Sequence, residues 1–213
     1  PMMDGFKTIP CPESLRGFRR LILLCGSRMP EALENFKRLI GTLSIVDSSE
    51  KIAVLVATGY DPPLTLLEAH LQKIGYQLKL SSVEIGAKSC WIKGSLVVFL
   101  GSGRFPSWSG WGEIGLTNAG TATEQLVGLG IPCISLPGKG PQFKKGFAFR
   151  QSRLLGGAVI PCKNPQVFAQ KLELLLSNPN LRNELAIFGK KRMGLNGGSI
   201  ALARLISTFM LKP

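Results

Sequence analysis

The sequence is poor in the residues that most often carry catalysis or hold metals. It contains a single histidine, His70, and its only aspartates are Asp4, Asp47 and Asp61, too far apart in sequence for a paired-aspartate metal clamp. This scarcity argues against a local histidine triad and against a histidine-rich metal centre, so any catalysis is expected to be metal-free. Cysteine is present but unorganised: Cys11, Cys25, Cys90, Cys133 and Cys162 are odd in number, widely spaced and without a CxxC pair. All five are read as reduced core residues of a cytosolic protein. No apolar run reaches the length of a membrane span, and no charged-then-apolar leader stands at the N-terminus. Negative charge is scarce too, with 13 Asp+Glu against 26 Lys+Arg and a net charge of +13. That balance suits an anionic partner such as a nucleotide, an acidic membrane surface or nucleic acid, although a merely solvated basic surface has the same composition.

What is there is an ordered α/β pattern. Hydrophobic residues make up 45% of the 213 residues and charged residues 18%, a composition that buries a core. Apolar runs without alternation at 19–27, 51–59, 95–103, 131–138 and 157–162 read as buried strands, with a shorter one at 76–82. Between and after them lie helix-period stretches at 30–43, 64–75, 121–130, 143–156, 164–178, 179–194 and 199–211. Pro30 reads as a first-turn residue, and Gly75 as a helix stop. Strands of this kind separated by helices predict a doubly wound, Rossmann-like α/β domain with a parallel sheet covered on both faces. Ligands of such sheets sit beyond the carboxyl ends of the strands.

Two glycine-containing loops fall at such ends. In "CGSRMPEA", Gly26, Ser27 and Arg28 combine bare backbone, a hydroxyl and a guanidinium, the elements of a diphosphate cradle. The tripeptide alone equally describes an ordinary strand-to-helix turn. In "TNAGTATEQLVGLGIPCISLPGKGPQ", Asn118, Ala119 and Gly120 leave the backbone open before a helix. Thr121-Ala122-Thr123-Glu124 matches a capping box, with Thr121 as cap and Glu124 reaching back. Gln125 lies in the first helical turns, and Lys139 and Gln142 follow one strand later, where a polar surface turn is the plain alternative. Trp108 and Trp111, in a loop rich in Gly and Ser, could stack on a base but more often such residues pack. No Walker A motif occurs, and "GSGRFP" lacks the third glycine of a dinucleotide fingerprint.

Taken together, "LILLCGSRMPEALENF" and "NAGTATEQLVGLGIPCISLPGKGPQ" resemble the C-terminal, sugar-nucleotide-binding half of a GT-B glycosyltransferase, nearest to lipid A disaccharide synthase and its relatives. The resemblance runs from Arg19 to the end. It implies a domain over 19–198, an N-terminal linker over 1–18 and a crossover helix over 199–213. It also implies a nucleotide-sugar donor (a UDP-sugar), with Gly26–Arg28 and Gly120–Ala122 facing the diphosphate and Gln142 the donor sugar. The glutamate that holds the ribose in such families falls here on Gln125, with Glu124 beside it, so either could take that role. An N-terminal acceptor domain carrying the catalytic base is expected to precede Pro1, and the final helix to dock on it. The expected function is metal-independent transfer of a hexosamine-type sugar to a lipid or saccharide acceptor at the cytoplasmic face of a membrane. The alternatives are a UDP-GlcNAc 2-epimerase-like enzyme and a basic anion-binding module, with nucleic acid the weaker partner.

Overall fold

The computed structural model describes residues 2–4, 6–46, 50–79, 85–138, 145–194 and 196–209. An eight-stranded sheet forms its centre: β1 (Arg19–Leu24), β2 (Ile52–Thr58), β3 (Gln77–Lys79), β4 (Ser89–Lys93), β5 (Leu96–Ser102), β6 (Ile114–Thr117), β7 (Cys133–Ser135) and β8 (Val159–Pro161). Their order across the sheet is β3-β4-β5-β2-β1-β6-β7-β8. From β5 to β8 every neighbouring pair is parallel. β4 pairs antiparallel with both β3 and β5, so one edge departs from the all-parallel expectation.

The strands are continuous apolar runs because both faces are covered. Along β1, Leu21 and Leu23 join the core on one face, while Ile22 and Leu24 join the core on the other. The first face is closed by α1 (Glu31–Thr42), α2 (Leu64–Lys73) and α6 (Pro165–Ser177), through Phe36, Leu39 and Ile40, Leu67 and Leu71, and Phe168 and Leu172. The second is closed by the short α3 (Phe105–Trp108) and by α4 (Thr121–Gly128), followed by α5 (Lys145–Leu154). Each fully buried Leu, Ile or Phe contributes about 1.5–3 kcal/mol relative to exposure. α7 (Pro179–Met193) packs on α4 through Gly189, where an added Cβ would lie 2.5 Å from the Val127 side chain. α6 and α7 are both capped by asparagine: the Oδ1 atoms of Asn164 and Asn178 accept the amides of Val167 and Leu181, and a proline follows each cap.

The two tryptophans considered as stacking residues are core residues. Trp108 is fully buried and its Nε1 donates to the Ile85 carbonyl, while the Trp111 Nε1 donates to the Ile9 carbonyl. Four of the cysteines are buried and all five are free, but Cys11 is exposed, which corrects its reading as a core residue. Burial pushes the Cys25 and Cys133 thiols up to about 12.

Within the segment read as a linker, Leu15 is fully buried and Phe6 meets Phe105 edge-on at 5.8 Å. The Gln125 amide donates to the Met2 carbonyl, and the Met3 side chain lies against Gly128. Asp4 then reaches α8 (Gly198–Phe209), accepting the amides of Gly197 and Ser199 at 2.6 Å each. These bonds, those to Ser199 foremost, hold the Asp4 carboxyl well below the usual carboxylate range. A depressed folded-state pKa means the cap is fully present above the unfolded carboxylate value and is lost only as pH falls through the lower folded one. Amide protection of α8 in hydrogen exchange is therefore expected to be equal at neutral and mildly acidic pH. It should drop at every pH in Asp4→Ala, and an unchanged variant would remove the cap from the account. Nothing in α8 is buried: Ile200, Leu202, Leu205, Ile206 and Phe209 are 40–76% exposed. No helix of the described residues is long and apolar enough to cross a membrane.

Candidate functional site

The sheet order reverses between β1 and β6. The chain leaves β1 toward β2 on one side and leaves β6 toward β7 on the other, which opens a crevice at the carboxyl ends of this adjacent pair. The loops singled out in the sequence both lie there. A cleft of about 470 Å³ is lined by Gly26, Ser27 and Arg28 after β1 and by Ala119, Gly120, Thr121 and Ala122 after β6. Gly26 holds φ at +91°, a conformation that a side chain would strain.

Backbone polarity in this cleft has one sign. The amides of Gly26, Ser27 and Arg28, and those of Gly120, Thr121 and Ala122, have no hydrogen-bond partner among the described residues. The neighbouring carbonyls, by contrast, are taken. The Ala119 carbonyl accepts the Thr123 hydroxyl at 2.8 Å, the Gly120 carbonyl accepts the amides of Thr123 and Glu124, and the Gln151 Nε2 reaches both carbonyls at 3.4 Å. Free donors with tied acceptors make an anion site, reinforced by the positive end of α4. Arg28 is the only charged side chain lining the cleft, and no ion pair with a described residue neutralises it. The acidic partners Glu50 and Glu113 are spent at the opposite, amino edge of the sheet, where they bind Arg19 and Arg20 at 2.7–2.8 Å.

Several sequence expectations change in detail. The capping box does not form: Gly120 is the N-cap of α4 and no side chain caps it, and the Glu124 amide that Thr121 would cap goes to the Gly120 carbonyl. Ser27 is not a cap either, since α1 starts only at Glu31 and carries its own Glu31 and Glu34 in the first turn. Glu124 and Gln125 lie outside the cleft lining, and Gln125 is engaged with the N-terminal segment. Asn118 does not face the cleft; it is 3% exposed. Its Nδ2 donates to Asn35 Oδ1 at 3.0 Å and to the Leu136 carbonyl at 2.8 Å, and its Oδ1 accepts from Ser135 Oγ and the Leu136 amide at 3.2 Å. Asn35, also buried, donates to the Cys25 carbonyl at 3.1 Å. This chain of amides ties the ends of β1, β6 and β7 to α1 and so fixes the spacing of the two loops. Lys139 and Gln142 fall outside the described residues. Sequence reading missed Asn35 and Gln151; each is an uncharged polar residue at a position its helical period places inward, which is the signal that could have found them.

A mostly parallel, doubly wound sheet with a crevice at its reversal point is the fold of the C-terminal half of GT-B structures. No family model matches the sequence, and no curated protein is similar to it. Solved structures share the fold. A Listeria monocytogenes protein described as a UDP-N-acetylglucosamine 2-epimerase is similar over 94% of this chain and 48% of its own, with a TM-score of 0.59 and 18% identity. WaaG, a glycosyltransferase involved in lipopolysaccharide biosynthesis, is similar over 90% of this chain and 48% of its own, with a TM-score of 0.59 and 17% identity. The C-terminal CMP-Kdo binding domain of WaaA from Acinetobacter baumannii matches 85% of this chain over 92% of its own length, with a TM-score of 0.56 and 13% identity. At these identities the likeness establishes the fold. The chain spans about half the length of the first two.

Proposed function

We propose that this domain binds a UDP-sugar and is the donor half of a metal-independent glycosyltransferase similar to lipid A disaccharide synthase. The observation that carries the reading is the set of unpartnered amides on two adjacent loops, converging with the Arg28 guanidinium on one cleft. A diphosphate seated there meets hydrogen-bond donors already oriented, so the charge that grows on departing UDP is stabilised without reorganisation. An acceptor hydroxyl attacks the anomeric carbon, and its proton passes to a base supplied from outside this domain. The acceptor is a lipid or saccharide, reached at the cytoplasmic face of a membrane to which the basic surface is attracted.

Epimerisation of a UDP-sugar is the rival chemistry, and the solved neighbours include that class. It requires acid and base groups at the sugar, whereas no carboxylate lines the cleft among the described residues. Calorimetric titration with UDP in the presence of a chelator tests the proposal: saturable binding, preferred over other nucleoside diphosphates, is expected. Absence of binding, or equal and salt-labile binding of any polyanion, would sink it. Incubation of the protein with UDP-GlcNAc in deuterated water separates the chemistries, since only epimerisation leaves deuterium on the sugar's C2.

A further inference from the structure

The net charge is unevenly shared along the chain. Residues 125–213 hold thirteen Lys and Arg but only two acidic residues, Glu173 and Glu184, and so carry +11 of the total of +13. Such asymmetry marks a surface for an extended anion. Part of it gathers where α5 ends beside α7. Gly156, just past α5, lies against α7: a Cβ built there would stand 3.1 Å from Arg192 Cγ and 3.5 Å from Phe188 Cβ. Around this junction Leu154, Ile187 and Phe188 are 54–71% exposed. Arg150 and Arg153 on α5, with Lys191 and Arg192 on α7, are exposed as well, and none of the four makes an ion pair with a described residue. Glu184, one turn before Phe188, is the only carboxylate of α7.

Bulky apolar side chains within a basic rim select among anions. A polyphosphate chain would meet the arginines but gain nothing from Leu154 and Ile187. A second copy of the chain would bring like charges face to face. A bilayer of acidic lipids satisfies both features, taking the apolar side chains at its acyl boundary and the cations among its headgroups. We infer that the α5–α7 face docks on an anionic bilayer. α5 also borders the cleft: its buried Gln151 reaches the carbonyls of Ala119 and Gly120, while Arg150 and Arg153 turn outward. Docking therefore holds the cleft close to the membrane, where a lipid acceptor lies. That consequence rests on the proposed function; the docking itself does not.

The test is flotation of the protein with vesicles of phosphatidylcholine alone, and of phosphatidylcholine and phosphatidylglycerol in equal parts. It compares wild type with Arg150→Gln/Arg153→Gln and with Leu154→Ser/Phe188→Ser, alongside calorimetry with UDP and thermal unfolding. Wild type should bind the acidic vesicles and not the neutral ones. Each double variant should bind them about tenfold more weakly or worse, since one cation near such a surface contributes about fivefold and a half-exposed Leu or Phe a similar factor. Unfolding midpoints and UDP affinity should stay at wild-type values, because all four side chains are exposed and lie outside the cleft lining. Absence of binding to acidic vesicles overturns the docking face. So does a loss confined to the arginine variant, which would mark a surface for any polyanion, and so does self-association that Leu154→Ser/Phe188→Ser abolishes. Failure of the wild type to bind UDP, with vesicle binding intact, instead overturns the proposed donor site.

Discussion

Replacing Arg28 by alanine is expected to weaken UDP binding ten- to a hundredfold while leaving the unfolding midpoint in place. Arg28 is exposed, lies at the cleft and makes no ion pair with a described residue, so its side chain stabilises little in the free protein. In the complex it meets phosphate oxygens in a charge-assisted contact worth roughly 1.5–3 kcal/mol, the lower end applying where water still screens it. Lysine at this position keeps the charge but loses the fork, and should recover only part of the affinity. Raising the salt concentration should narrow the gap between wild type and variant, because part of the Arg28 contribution is screened Coulomb attraction. Calorimetry at two ionic strengths checks both statements, and unaltered affinity in Arg28→Ala would mean that the phosphates lie elsewhere.

Asn118→Ala should act in the opposite way, on the fold before the ligand. The substitution strips partners from Asn35 Oδ1, Ser135 Oγ and both backbone groups of Leu136, all in the buried seam below the cleft. Each buried group left unpaired costs about 1–3 kcal/mol, and neighbouring losses are not additive, so a total near 3–5 kcal/mol is expected. For a domain of this size that lowers the unfolding midpoint by about 10 °C or more. UDP affinity should fall as well, since the amide chain sets the distance between the two loops. Denaturant and thermal unfolding measure the first effect; an unchanged midpoint would show that the network contributes little.

Much of this architecture can be read from residue pattern. β1, β2 and β5 each carry an apolar run (LILL, IAVLVA and LVVFL), and only burial on both faces makes such runs stable in water. Glycines and prolines mark the turns between them, so the position of both cleft loops at carboxyl ends follows directly. β4 escapes because "SCWIK" is five residues long, carries a polar residue at each end and pairs antiparallel at an edge, so it shows neither a long apolar run nor clear alternation. The cap of α4 is misread for another reason. "TATE" satisfies the capping-box pattern, yet the Gly120 carbonyl accepts the amides of Thr123 and Glu124 and so starts the helix one residue earlier. Asn118 illustrates the limit most clearly: its neighbours in space, Asn35 and Leu136, come from other elements, and sequence adjacency to Gly120 made it look like part of the site.

The reversal of strand order also decides how occupancy propagates. The strands on the β2 side of the crevice come from the stretch up to Ser102, and those on the β6 side from Ile114 onward, so the crevice is a seam between an earlier and a later portion of the polypeptide. A molecule gripped there fastens the two portions across their shared boundary, as a clasp does. Occupancy of the crevice and cohesion of the sheet across it are consequently linked.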